Sequence, residues 1–391
     1  MAAATIPVPT ETKSPAPVLM ELAVDRGQFL AEVQAATRVT EGKSTIPILT
    51  HLLLRTTNNG ALSVTGSDLQ RTITTECPAA VKSQGAAAVP AQKLLTYLKL
   101  LPNGQVNLKL LGNDRLQITA ANSRTKIPGM KPESYPAIPV ASGVLIRLSA
   151  RALRTVIRQS LFAVATSQDK YLLNAGLLLL RSDRMGMVAT DGRRLSMVEV
   201  HDEALAGEEL RKVLLPRECM SDLLALFSWS KEETIEFRED ETCLYFQLGP
   251  RKLSVRKLTD QFPNYEAILP RDNTNSVVLA SSDLLASVQR VLQFADERSN
   301  AVKLHLADNL LTLSASMANH GESQDSLPLS YNSTPVTIGF NGAFLIEFIK
   351  TIGAEGELRL SLKDSASAAV ITPEAFNPEY QQRYVVMPMR V

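Results

Sequence analysis

The sequence predicts an α+β protein of three tandem domains, each with two helices packed on antiparallel sheets. Three observations carry this. A chain of 391 residues is too long for one hydrophobic core, since single cores stop growing near ~250–300 residues. Short turn signals, among them Asn58-Asn59-Gly60, Gly112-Asn113-Asp114 and Asp308-Asn309, sit between apolar runs, and tight hairpins join antiparallel neighbours. The order of elements also recurs. Leu94, Met220 and Leu345, and again Leu98, Leu224 and Ile349, take matching places in three helices about 125 residues apart, a normal domain size and far wider than a solenoid repeat. The boundaries read as a disordered extension over 1–19, then domains over 20–140, 141–271 and 272–391.

The extension MAAATIPVPTETKSPAPVL is rich in Ala, Pro and Thr. It lacks a charged segment followed by an apolar one, so it does not read as a signal peptide, and Met20 reads as an alternative start. Glu21–Val24 reads as a strand, and Asp25 as the cap of a helix to Arg38 with Phe29, Leu30, Val33 and Ala36 on its apolar side. Strands follow at Leu49–Thr56, Leu62–Gly66 and Arg71–Cys77. Val89–Leu101 reads as a helix with Pro90 near its first turn. Val106–Leu111, Leu116–Ala121 and Arg124–Ile127 form a meander, and Tyr135-Pro-Ala-Ile-Pro139 closes the unit.

The second pass runs through strands Val144–Leu148, Ala175–Arg181, Gly186–Thr190 and Leu195–Val200, a helix over Leu215–Phe227, and strands Thr234–Arg238, Cys243–Leu248 and Lys252–Lys257. Phe262–Pro270 repeats the closing signature. The third has strand Ser276–Leu279, helix Ser282–Ala295, hairpin Val302–Leu306 with Leu310–Ala315, helix Asn341–Ile352, and strands Glu357–Leu362, Ala368–Ile371 and Tyr384–Met389. Each pass reads βαβββαβββ.

The opening helix of the second pass, Ser149–Val164, organises the functional reading. At helical spacing Leu153, Val156, Ile157, Leu161 and Val164 share one side. Arg151, Arg154 and Arg158 fall within an arc of about 60° on another. A basic stripe is either an ordinary solvated face or a phosphate-facing one. Net charge is +1, so the chain is no polybasic binder and any cationic surface must come from segregated charge.

Catalysis finds little support. Ser228-Trp-Ser-Lys231 satisfies SxxK, but the companion SDN and KTG motifs are absent, as are GxSxG, a Walker loop and GxGxxG. The acidic run Glu232–Glu241 reads as solvated surface. Cys77, Cys219 and Cys243 lie far apart, and the four histidines show no ligand spacing, so no disulfide framework, metal or cofactor is expected. No apolar run reaches the ~20 residues of a spanning helix. The expected setting is a reducing, cytoplasmic one.

Gly66-Ser67-Asp68, Thr190-Asp-Gly-Arg-Arg-Leu195, Phe262-Pro-Asn-Tyr265 and the tail Tyr384-Val-Val-Met-Pro-Met-Arg-Val391 resemble the bacterial β sliding clamps, the processivity subunits of DNA polymerase III. The resemblance runs from Met20 to Val391. It implies a clamp-like fold and a homodimer closed head to tail into a ring around double-stranded DNA, which it holds without reading sequence. The implied partners are the polymerase III alpha subunit, the clamp loader, repair polymerases and other proteins with clamp-binding peptides; no membrane is involved. Family DNA contacts map onto Lys43, Gln92 with Lys93 beside it, Gln168, Tyr171 and Leu172; Arg151, Arg154 and Arg158 are added from the helix argument. The implied peptide pocket comprises Leu173, Thr190, Gly192, Arg193, Arg194, Leu195, Pro263, Ile268, Val385, Met387, Pro388, Met389, Arg390 and Val391. Gln92, Leu172, Arg193 and Ala267 depart from the family pattern. The end of the helix Ser282–Ala295 should meet a sheet edge of the partner's first domain, with Phe294 as the apolar anchor.

Overall fold

The computed structural model describes residues 18–166, 173–205, 210–317, 321–353, 355–375 and 379–390. In chain order the first elements are β1 (Val18–Asp25), α1 (Arg26–Thr37), β2 (His51–Thr56), β3 (Ala61–Ser67), β4 (Arg71–Ser83), β5 (Ala86–Pro90), α2 (Ala91–Leu100), β6 (Gln105–Leu111), β7 (Arg115–Ala120) and β8 (Ser123–Pro128). Then come β9 (Ile146–Ser149), α3 (Ala150–Ser160), β10 (Ala175–Arg181), β11 (Arg184–Thr190), β12 (Arg194–His201), β13 (Arg211–Pro216), α4 (Arg217–Ser228), β14 (Thr234–Glu239), β15 (Cys243–Leu248) and β16 (Arg251–Arg256). The last are β17 (Asn275–Ala280), α5 (Ser281–Leu292), β18 (Ala301–Ala307), β19 (Leu310–Met317), β20 (Gly321–Pro328), β21 (Val336–Asn341), α6 (Gly342–Ile352), β22 (Glu357–Leu362), β23 (Ala369–Pro373) and β24 (Gln381–Val386).

Two helices recur in each pass, as the repeat predicts, but the strand order differs from the reading. A short strand, β5, β13 or β21, leads directly into each second helix. Pro90 and Pro216 end those strands and cap the helices just before the first turn, a place where the missing N–H costs nothing. Asn341 does the same work in the third pass, accepting from the amides of Ala343 and Phe344 at 2.9 and 3.3 Å. β1 begins at Val18, opposite Leu111, so Val18 and Leu19 belong to the sheet and not to the extension; residues 1–17 lie outside the described ones. The strand read over Tyr384–Met389 stops at Val386, because Pro388 cannot donate to a ladder.

The chain divides into two compact units. The first takes the residues up to Ser142 together with Tyr245–Arg256. Its strands run β8-β7-β6-β1-β4-β16, with β3 beside β4, β2 beside β3 and β5 beside β2. Asp25 caps α1 by accepting from the Gln28 amide at 3.0 Å, and Phe29, Val33 and Ala36 are fully buried. Gly66 lets β3 approach the helix; a Cβ there would stand 2.1 Å from the Ala36 carbonyl oxygen. Glu32 is a buried charge within this unit. Arg251 grips it through two of its nitrogens, Nε and Nη2, at 2.9 and 2.7 Å, and Thr75 donates to the same carboxylate. Every oxygen is met, the condition for tolerating a buried ion pair.

The second unit holds Gly143–Leu244 and Lys257–Val391. Its large sheet runs β13-β10-β11-β12-β24-β23-β22-β17, and a smaller one runs β20-β19-β18-β21. Period-two alternation in β24 sends Tyr384 and Val386 into one core with Phe340, Phe348 and Leu360. Val385 goes to the opposite face, with Leu177, Leu179, Val188, Leu195 and Tyr265. That second face is covered by the segment carrying Phe262, Tyr265 and Leu269, the closing signature of the sequence reading.

Candidate nucleic-acid and peptide-binding surfaces

The α3 helix separates its two stripes cleanly. Ser149 caps it, accepting from the Ala152 amide at 3.2 Å. Leu153, Val156 and Ile157 are fully buried, while Arg151, Arg154 and Arg158 are exposed. The helix ends at Ser160 and a 3-10 turn carries Leu161, so the apolar stripe is shorter than its spacing suggests. The three arginines border an open recess of about 580 Å³ together with Lys231, Glu232, Glu233 and Glu379. Arg151 is paired with Glu379. Arg154 and Arg158 make no ion pair among the described residues. Glu379 is not singled out by the sequence, and Lys231 reads there only as part of the SxxK pattern; the fold brings both beside α3. Ser228 of the SxxK pattern donates to the Ala225 carbonyl at 2.7 Å, an ordinary helix-end bond.

In the first unit Lys43 is exposed on the loop after α1, and Gln92 and Lys93 are exposed on the first turn of α2. Gln168, Tyr171, Leu172 and Val391 lie outside the described residues.

The turn between β11 and β12 is built by its own side chains. Asp191 accepts from the amides of Arg193 and Arg194 at 2.9 and 3.0 Å. Thr190 donates to the Arg194 carbonyl at 2.6 Å and accepts from the Gly192 amide at 3.0 Å. Gly192 has φ +84°, a conformation that favours glycine. Arg193 is exposed on this turn, but Arg194 is buried. All three of its nitrogens have acceptors: Asp191 at 3.1 Å, Glu347 at 2.6 Å and the Phe162 carbonyl at 2.7 Å. Its guanidinium also lies 4.1 Å from the centroid of Phe344. Arg194 thus braces the turn from behind, and Glu347, Phe162 and Phe344 are supports that sequence reading missed.

Tyr384 completes the brace, stacked on Phe348 at 4.5 Å and donating to the Phe344 carbonyl at 3.1 Å; burial pushes its phenol well above the usual range. The tail beyond β24 is tied at two points, from the Met387 amide to the Arg193 carbonyl and from the Met389 amide to the Gly339 carbonyl, both at 2.8 Å. Leu195 and Val385 are direct cross-strand partners and are buried, as is Thr190. Ile268, Met387 and Arg390 are exposed, and Leu173, Pro263, Pro388 and Met389 are half-buried. Apolar side chains with flexible thioethers at the surface suit varied apolar ligands.

Phe294 follows α5 and is half-buried. Its ring would meet a Cβ at Gly321, where β20 begins, at 3.7 Å.

Residues 20–139, 147–264 and 266–390 match, in turn, the N-terminal, central and C-terminal domains of the DNA polymerase III beta subunit. The chain belongs to the DNA polymerase III beta subunit family. It is 28% identical over 378 residues to a beta sliding clamp of Synechococcus elongatus, covering 95% of this chain and all of the relative. It is 29% identical over 383 residues to one from Caulobacter vibrioides, with the same coverage. Among solved structures it is similar to the DnaN sliding clamp of Bartonella birtlesii bound to griselimycin (TM-score 0.88, 27% identity) and to that of Pseudomonas aeruginosa bound to the same compound (TM-score 0.87, 26% identity), each over 95% of this chain and 100% of the other. A C. crescentus beta sliding clamp with polyethylene glycol at a putative beta-motif tethering region aligns at TM-score 0.87 and 27% identity, over 95% of this chain and 99% of its own. The beta subunit family thus accounts for the fold of three tandem domains and for the sliding-clamp function. No helix among the described residues is long and apolar enough to cross a membrane.

Proposed function

We propose that two copies of this chain close into a ring around double-stranded DNA, hold it through phosphate contacts alone, and carry peptide-bearing partners such as the replicative polymerase, the clamp loader and repair polymerases. The observation that carries the DNA part is the α3 helix, with an apolar back in the core and three arginines in solvent. Lys and Arg directed at phosphates bind without sequence information and let a protein slide. Lys43, Gln92 and Lys93 are the proposed contacts of the first unit. Partner peptides take the surface around Leu173, Thr190, Pro263, Ile268 and Met387, with Arg193 at its rim and Arg194 bracing it.

Ring closure falls to two free edges. β8 and β20 are each outermost in their sheets, and an outer strand is a template for pairing. β8 exposes Arg124 and Lys126, and β20 exposes Glu322, the residue after the Gly321 that faces Phe294. The charges are complementary across a head-to-tail contact.

Light scattering with retention on nicked circular DNA tests the reading. A dimeric mass and loss of retention when the circle is cut are expected. A monomer at micromolar concentration, or retention that survives linearisation, overturns it.

A further inference from the structure

The covered face of the large sheet does not end at the proposed peptide surface. Beyond Val385 it opens into a recess of about 240 Å³ lined by Leu269, Val370, Thr372, Val385, Arg271 and Arg383. The cross-strand pairs of Val370 with Val385, and of Val385 with Leu195, put its floor on the same sheet face as the buried Leu195. One wall is held in place: Asn273 donates from one amide nitrogen to the carbonyls of Ser361 and Ala368, at 3.0 and 3.1 Å.

The charges on this face are unevenly settled. Arg181 is paired with Glu199 at 3.0 Å, and Arg359 with Glu374. Asp272, the acid next to Arg271 in sequence, is 3.9 Å from Lys363. Arg271 and Arg383 are both exposed and make no ion pair among the described residues. Two unneutralised guanidiniums therefore flank one recess with an apolar floor.

We propose that this recess takes an acidic side chain, aspartate or glutamate, flanking the apolar segment of a partner peptide. The proposal rests on the peptide-binding reading above and names a specificity element for it. The volume is below the ~300–1,000 Å³ of small-molecule pockets and suits one or two side chains. Guanidinium matches a carboxylate with two parallel hydrogen bonds. A nucleic-acid backbone fits less well, because a run of phosphates would pass the carboxylates of Glu199 and Glu374 on the same face.

Fluorescence anisotropy with synthetic peptides tests it. Each peptide carries a Leu/Phe apolar anchor flanked on either side by Asp-Asp, by Asn-Asn or by Lys-Lys, and a fourth has the anchor replaced by Ala. The wild-type dimer is expected to favour Asp-Asp over Asn-Asn by about five- to tenfold, less at high salt. R271Q/R383Q should bind the Asn-Asn peptide as the wild type does and lose the preference. R383E should shift it toward Lys-Lys; an unchanged melting temperature in each variant shows that the fold is kept. If the anchored peptides bind but the Asp-Asp preference is absent, or survives R271Q/R383Q, this proposal fails and the peptide surface stands. If none binds better than the Ala-substituted control, the peptide reading fails and this proposal with it. A labelled duplex whose binding falls in R271Q/R383Q while peptide preference is unchanged assigns the recess to nucleic acid and overturns it.

Discussion

The three arginines of α3 are not equivalent, and their salt dependence should show it. Each phosphate neutralised by a cation contributes about 0.9 to the slope of log K against log salt. Arg154 and Arg158 are exposed and without an ion pair among the described residues, whereas Arg151 already holds Glu379. Replacing Arg154 and Arg158 with glutamine removes two contacts per protomer, so the slope for a dimeric ring should flatten by about 3–4. Between ~50 and ~200 mM salt that is a roughly hundredfold smaller loss of affinity. Arg151→Gln should flatten the slope by less than 1, since the lost cation was partly neutralised, while Glu379→Gln should steepen it by up to about 2 as Arg151 becomes available. Anisotropy of a short labelled duplex, titrated across a series of salt concentrations, measures the three variants against the wild type. An unchanged slope in the Arg154/Arg158 variant, or Arg151→Gln as the largest single effect, would refute the assignment of this helix to DNA.

The remaining predictions concern the first unit. Glu32→Gln or Arg251→Met alone leaves a buried group without its partner and should cost about 3–5 kcal/mol, whereas replacing both with apolar residues should come out near neutral; urea midpoints of the single and double variants decide, and additive losses would contradict the coupling. Gly66→Ala drives a methyl against the Ala36 carbonyl and should cost about 3 kcal/mol or more; an unaltered melting temperature would mean that α1 can move aside. Cys77 is buried, and burial first, then the Glu32 charge, pushes its thiol up to about 12. The folded state therefore keeps the proton that the unfolded chain gives up above the ordinary thiol range, so stability is full at neutral pH and is lost as pH rises. The loss should be about 2 kcal/mol between pH 8 and pH 10, and Cys77→Ala should flatten that profile; an identical profile would show that another group governs it.

The parts of the fold that could be read in advance are those whose signal is local. Ala175–Arg181, Cys243–Leu248 and Glu357–Leu362 are apolar or alternating runs between turns, and they are strands with those bounds. The cap Asp25 announces its helix in the same way, whereas Ser149 reads only as the first residue of its helix and is its cap in the structure. What escaped was set from a distance or hidden by composition. β20, Gly-Glu-Ser-Gln-Asp-Ser-Leu-Pro, has no apolar alternation and is a strand only because β19 pairs with it along its whole length. Glu32 and Arg251 are 219 positions apart, and Arg194 and Glu347 are 153 apart. Asp191-Gly192 is local turn chemistry, but the bracing role of Arg194 depends on a helix in a later pass. The charge stripe on α3 was legible because 3.6-residue periodicity is itself local, while the acid on Arg151 was not.

β24 is the latest of the described strands in chain order, yet it lies between β12 and β23 in the middle of the large sheet. On a ribosome, everything from β10 to β23 emerges before the strand that joins the two halves. Until Gln381–Val386 appears, β12 and β23 each present an open edge, and such edges recruit other nascent chains. A translation product halted before that strand would lack the residue pair Leu195 and Val385 and expose two sticky borders, so incomplete copies should be aggregation-prone and unable to compete with finished ones for partners.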